Sequence, residues 1–199
     1  MSGAYRADVG RCAGQDKLRR SFPRLFLHSH GLQALLGYRL GRWLLRARRR
    51  VHLWPLLPVG WGCYYLISRY ARAVFDIRLE LSADIGPGFY IGHFGAIRVR
   101  RCRIGANCSI HRLTAITPAA RGAGPEIGDR VWIGAHVRIV GPYRIGSHAT
   151  IAAGAEVRSD LRDGALCIGN PARVMMCGYD NRRILGFGEE FQRQPDTVA

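Results

Sequence analysis

Isoleucine or valine returns at six-residue intervals through the second half of this 199-residue chain, and that interval constrains the fold more than any other feature. Ile85, Ile91 and Ile97 open the register, and Ile104, Ile110 and Ile116 continue it after one extra residue. Ile127, Ile133, Ile139, Ile145, Ile151 and Val157 complete it after a longer interruption. A small residue follows most of these positions: Gly86, Gly92, Gly105, Gly128, Gly134, Gly146 or Ala152. Six is neither the helix nor the strand period. A short strand followed by a turn, repeated, produces it. One branched residue per repeat points inward, where β-branched chains suit a pleated, half-buried surface. The small residue beside it lets the chain turn a corner.

Three such repeats close one triangular coil, and coils stack at about 4.8 Å. Residues 85–162 supply about four coils on this count. One coil cannot bury its own apolar row, but a stack buries a continuous one. The expected fold is therefore mainly β: a left-handed parallel β-helix behind an N-terminal α-helical segment. A sandwich fits less well, because its strands recur at about 8–12 residues. The interruption from Ile116 to Ile127 is one hexad plus five residues. Its Gly-, Ala- and Pro-rich insert predicts an exposed loop over 117–126, and insertions in repeat proteins collect on one face, often the binding face. The expected organisation is a flexible basic N-terminus at 1–21, a helical segment at 22–76, the β-helix at 77–176 and a C-terminal tail at 177–199.

The net charge is +16, and Lys17 is the sole lysine among thirty cationic residues. Such an excess implies anionic contacts. No recognised nucleic-acid motif accompanies it, so no nucleic-acid partner is expected. A phosphate-bearing cofactor or an anionic membrane surface fits the charge. Six cysteines are scattered without a CxxC pair, and the first twenty residues are too polar for a signal peptide. Free thiols in a reducing cytoplasm are the expectation. Cys102 and Cys108, one repeat apart, read as small packing residues.

Residues 30–47 read as an amphipathic helix. Leu32, Leu35, Leu36, Leu40, Trp43 and Leu44 share one face, and Arg39, Arg42 and Arg46 cover the other. A second helix is expected near Trp61–Val74, with Tyr64, Ile67, Ala71 and Val74 inward. The apolar run between them is broken by prolines and glycines and is too short to span a bilayer. The helices read first as a cap on the first coil. A peripheral membrane foot is the second reading, because apolar and aromatic residues flanked by arginines also describe an interfacial helix.

Three segments then carry a resemblance. HGLQALLGYRLGRWL (30–44), IGPGFYIGHFGAIRV (85–99) and GNPAR (169–173) resemble, in order, segments of the serine acetyltransferase-like branch of hexapeptide-repeat acyltransferases. The likeness runs from about Phe22 to Met176. It implies acetyl transfer from acetyl-CoA to a hydroxyl, without a metal or a covalent intermediate. His93 falls on the catalytic base, and a neutral imidazole near pH 7 suits removal of a hydroxyl proton. Gly134, Ala135, Ala152, Ala153 and Arg173, with Arg158 beside them, fall on the donor-binding region. That region lies in a groove between subunits of a homotrimer.

The chain departs from the pattern on the acceptor side. Gly92 replaces the acidic residue before the histidine, Ala123 and Gly124 replace an Arg-His pair, and Thr117, Pro118 and Ala119 replace a glycine-rich opening. These changes remove the grip on free serine and point to a sugar or another small hydroxyl compound. A genuine serine O-acetyltransferase and a non-catalytic scaffold are the alternatives. The position of the acid that orients the base aligns with Arg78. A stacking offset of about eighteen residues would set neighbouring Asp76 over position 94, which makes Asp76 the candidate.

Overall fold

The structure is a computed structural model that describes residues 2–15, 29–48, 57–92, 95–119, 122–182 and 184–185. Three helices come first: α1 (Ser2–Gln15), α2 (His30–Ala47) and α3 (Leu57–Phe75). Short strands then wind through five coils. The first holds β1 (Ile77–Leu79), β2 (Asp84–Ile85) and β3 (Tyr90–Ile91), and the second β4 (Ile97–Val99), β5 (Arg103–Ile104) and β6 (Ser109–Ile110). The third holds β7 (Ala115–Thr117), β8 (Glu126–Ile127) and β9 (Trp132–Ile133), and the fourth β10 (Arg138–Val140), β11 (Arg144–Ile145) and β12 (Thr150–Ile151). The fifth runs from β13 (Glu156–Val157) through a bridge at Leu161 to β14 (Leu166–Ile168). β15 (Arg173–Met176) folds back antiparallel on β14.

Every third strand pairs in parallel, which gives three sheets on three faces. The register stacks like on like. Ile85, Ile104, Ile127, Ile145 and Leu161 form one inward row. Ile91, Ile110, Ile133, Ile151 and Cys167 form the second. The third row is Leu79, Val99, Ile116, Ile139 and Val157. All but Leu79 are at most 5% exposed. Burying each branched side chain contributes roughly 1.5–3 kcal/mol before entropy is charged against it. The small residue after each inward position has a steric cause. A Cβ on Gly105 would lie 2.6 Å from the carbonyl oxygen of Gly128 in the next coil, and one on Gly86 2.5 Å from that of Gly105.

The expectation of about four coils is corrected to five. The first and last coils use Ile77, Leu79, Leu161 and Cys167 at positions that the isoleucine count passed over. Ile97 is also off the row assigned to it. It stacks under Ile77, and Val99 carries the row to Ile116. The extra residue between Ile97 and Ile104 reflects this longer stretch.

The helices close the open end of the stack. With no preceding coil, the polar backbone of residues 83–89 needs partners from elsewhere. Arg39 donates to the carbonyls of Ile85 and Gly86 at 2.6 Å each and pairs with Asp8 at 3.0 Å. Asp8 is fully buried and accepts from the Phe89 N–H at 2.9 Å. Arg11 donates to the Gly88 carbonyl at 3.1 Å and to Ser109 Oγ at 2.8 Å. The Tyr38 hydroxyl donates to the Ala83 carbonyl and accepts from the Ile85 N–H.

This arrangement overturns three expectations. Residues 2–15 of the supposed flexible terminus form α1, because Asp8 and Arg11 point inward and complete the backbone of the first coil. Arg39 faces that backbone rather than solvent. Val74 is 55% exposed, and Phe75 at 5% takes the inward place. The start of the expected tail is also fastened. Asn181 is 1% exposed and donates to the carbonyls of Arg130 and His148.

Candidate active site along one corner

The three sheets meet at three corners, and the candidate residues gather on one of them. It is the corner where each coil leaves the β3/β6/β9/β12 face and enters the β4/β7/β10/β13 face. Gly92 and Gly95 lie there in the first turn, His111–Leu113 in the second, Gly134–His136 in the third and Ala152–Gly154 in the fourth. Backbone bonds tie successive levels: Leu113 N–H to the Gly95 carbonyl at 2.8 Å, His136 N–H to Arg112 at 3.0 Å and Gly154 N–H to Ala135 at 2.8 Å. Leu113, His136 and Gly154 occupy equivalent places and all have left-handed φ, at 61°, 61° and 75°. Residues 92 and 134 are 42 apart in sequence, yet the levels are separated by only two coil spacings, about 10 Å.

His93 and its neighbour Phe94 lie outside the described residues, but Gly92 and Gly95 bracket them on this corner. Gly134 is buried, and a Cβ there would come 2.7 Å from Ala153 N. The four small residues Gly134, Ala135, Ala152 and Ala153 therefore form one tightly stacked patch. Ala153 and Gly154 are exposed, so backbone is open to a ligand there. Arg173 opens β15 opposite Ile168, one level further along, and is exposed. Arg158 is exposed but paired with Glu156 at 2.9 Å.

Asp76 does not fall where the eighteen-residue offset put it. The first two coils are offset by twenty residues, as Ile77 opposite Ile97 shows, so Asp76 stacks over Ala96. Its backbone carbonyl accepts from the Ile97 N–H at 3.1 Å, and its carboxylate accepts from Arg78 Nε at 3.2 Å. The added residues sit at the corner that carries 93–95, a length the hexad count does not reveal.

His111 also belongs to this corner. It is half-buried, and its ring lies beside Gly92: a Cβ at position 92 would be 2.7 Å from its Nε2. Nδ1 lies 3.0 Å from the Ile133 carbonyl oxygen. A carbonyl only accepts, so that nitrogen carries the proton. Trp132 packs against the ring at 5.0 Å between centroids. The sequence did hold the signal, since His111 is nineteen residues after Gly92 and the β3–β6 register is nineteen. The insert between β7 and β8 lies on a different corner. Its returning end is fastened there: Pro125 accepts from Arg103 N–H, and Gly124 packs on Arg101 too closely for a side chain.

The buried thiols are packing groups. Burial pushes Cys102 and Cys108 up to about 12 and Cys167 up to about 11, so they remain protonated near neutrality. A cavity of about 390 Å³ lies between α2, α3 and the first coil, lined by Tyr38, Tyr64, Arg72, Arg78 and Glu80 among others. It contains no residue of the corner and so does not serve as the candidate site.

Residues 124–159, the third to fifth coils, match the bacterial transferase hexapeptide family (six repeats). The coils are hexapeptide repeats. The chain is 30% identical over 179 residues to serine acetyltransferase 4 of Arabidopsis thaliana, covering 88% of this chain and 47% of that one. It thus spans about half the length of that curated relative. A Neisseria gonorrhoeae serine acetyltransferase in complex with serine is similar at 26% identity and a TM-score of 0.71, over 86% of this chain and 68% of that one. A Brucella abortus serine acetyltransferase in complex with coenzyme A shares the fold at a TM-score of 0.73 and 23% identity, over 87% and 67% of the two chains. The likeness read from residues 30–44, 85–99 and 169–173 is thereby matched by relatives over most of the chain.

Proposed function

We propose that this hexapeptide-repeat chain is an acetyl-CoA-dependent O-acetyltransferase, with the corner row as its active site. The observation that carries the reading is the convergence, on one edge of the stack, of the segment bracketing His93 and the small patch Gly134, Ala135, Ala152 and Ala153. In this reading His93 takes the proton of an acceptor hydroxyl as the oxygen attacks the thioester carbonyl. An exposed corner N–H stabilises the oxyanion. The patch lets the pantetheine arm lie against backbone, and Arg173 pairs with the nucleotide phosphates. A homotrimer supplies the second wall of the groove.

The relatives' names favour serine as the acceptor. A specific observation favours a second reading, in which the acceptor is a sugar or another small hydroxyl compound. The His111 ring fills the space that an acidic side chain at position 92 would need, so the site presents an imidazole where a carboxylate would face an ammonium group.

Release of free CoA from acetyl-CoA, measured with serine and with sugar acceptors in parallel, tests both points. His93→Ala is expected to lower kcat by about 10²–10⁴. Saturable stimulation by serine alone settles the acceptor as serine, and stimulation by sugars alone settles it as sugar. No release above background with any acceptor supports a non-catalytic scaffold and overturns the enzyme reading.

A further inference from the structure

The helical front end has a surface that transfer chemistry does not use. One side of α3 packs inward through Ala71 and Phe75, while Gly60 sits against Leu44 and Ile67 against Gly37 of α2. Much of the remaining surface is open: Val59, Tyr65, Leu66, Tyr70 and Val74 are 51–68% exposed. Val59, Leu66, Tyr70 and Val74 follow one another at seven, four and four residues, so they line one stripe about 22 Å long. A surface helix ordinarily keeps that side polar. The only charged residues of α3 are Arg69 and Arg72, both exposed. Trp43 and Leu45, each 37% exposed, add apolar surface near the end of α2.

Charge is concentrated in the same part of the chain. From Lys17 to Phe75 there are twelve Lys and Arg residues and no Asp or Glu, which accounts for twelve of the net +16. Among the described residues, Arg46, Arg48, Arg69 and Arg72 have no acidic partner, whereas Arg39 and Arg42 pair with Asp8 and Asp84.

We infer that the outward face of α3 seats this protein on an anionic lipid bilayer. Apolar side chains on a helix lying in the interface reach the acyl boundary, and tyrosines settle at headgroup level. Arginines beside them meet lipid phosphates. Among the described residues no helix is long and apolar enough to cross a membrane, so α3 lies on the bilayer. Charge selects this occupant over the others. A second copy would set two uncompensated cationic segments against each other. A nucleic acid would satisfy the arginines and leave the apolar stripe in water.

The test is co-sedimentation of the full chain with vesicles of phosphatidylcholine alone or mixed with phosphatidylglycerol, at low and high salt. Binding is expected to the mixed vesicles, with a loss at high salt. The variants Leu66→Glu/Tyr70→Glu and Arg69→Glu/Arg72→Glu should each weaken it by roughly tenfold or more. Both alter exposed positions, and circular dichroism checks that the helices persist. Absence of binding to mixed vesicles at low salt overturns the inference, as does binding that Leu66→Glu/Tyr70→Glu leaves unchanged. A fall in oligomer mass caused by Leu66→Glu/Tyr70→Glu, without vesicle binding, assigns the face to a second copy. Retention on single-stranded DNA with no vesicle binding assigns it to nucleic acid. Either result overturns the inference.

Discussion

The stacked coils and the helices that cap them obey different rules. In the coils, position follows from counting: a residue's face, its row and its neighbours above and below are set by register. In the helices, position follows from what the first coil lacks. Asp8, Arg11 and Arg39 would count as surface residues by any periodicity, yet Asp8 is fully buried and Arg11 is 9% exposed, because they complete an unpaired backbone edge. The comparison teaches that a repeat makes its interior readable and leaves its ends to be solved by tertiary contact. It also separates two jobs. The coils carry the corner that the transfer reading needs, and the sequence from Lys17 to Phe75 carries twelve of the net +16.

The sharpest way to break the comparison is inside a row. Ile133→Asp puts a carboxylate at a position with no exposure, and a loss on the order of 5 kcal/mol or more is expected. Thermal unfolding of the variant should show collapse of the coils; a cooperative, near-native transition would mean the rows do not hold the stack. Next in size is Asp8→Asn, which leaves the Arg39 guanidinium buried without its anion. The expected cost is about 3 kcal/mol, felt in α1. Hydrogen exchange should speed up in α1 and leave β7–β12 protected. Equal loosening of both would erase the distinction between cap and coil.

Smaller effects sharpen the picture. Gly134→Val must displace the Ala153 backbone and should cost about 1–3 kcal/mol in denaturant titrations. The buried thiols give a pH dependence. Cys102 and Cys108 are raised from 9.0 to about 12, so folding favours their protonated form. That stability is complete below pH 9.0 and is lost as pH climbs through about 12. The denaturation midpoint should therefore fall above pH 9, and Cys108→Ala should flatten the fall. Smallest is Val74→Ser on the open side of α3, expected within about 0.5 kcal/mol of wild type. A larger loss would show that this side is packed.

How much the sequence revealed follows the same division. The hexads gave the coil and its inward rows, because each depends only on spacing; the resemblance singled out Gly134, Ala135, Ala152 and Ala153, which the register stacks on one corner. The hexads failed where spacing changes. The twenty-residue offset between the first two coils moved Asp76 from position 94 to Ala96. A leucine and a cysteine standing in for isoleucine hid the fifth coil. His111 was missed for another reason: it follows Ile110 as Gly92 follows Ile91, so the rows place it beside Gly92, but only the structure shows its ring filling the space that the glycine leaves. α1 was missed because burial of charged residues requires partners that are distant along the chain, from Asp8 to Phe89 and from Arg11 to Ser109.

The most direct measurement is backbone hydrogen exchange with and without CoA, resolved to the three corners of the stack. Slowing is expected at Gly134–His136 and Ala152–Gly154, together with whichever surface of the neighbouring subunit forms the second wall of the groove. Protection that leaves Gly134–His136 and Ala152–Gly154 unchanged, wherever else it appears, would contradict a donor site built along this edge.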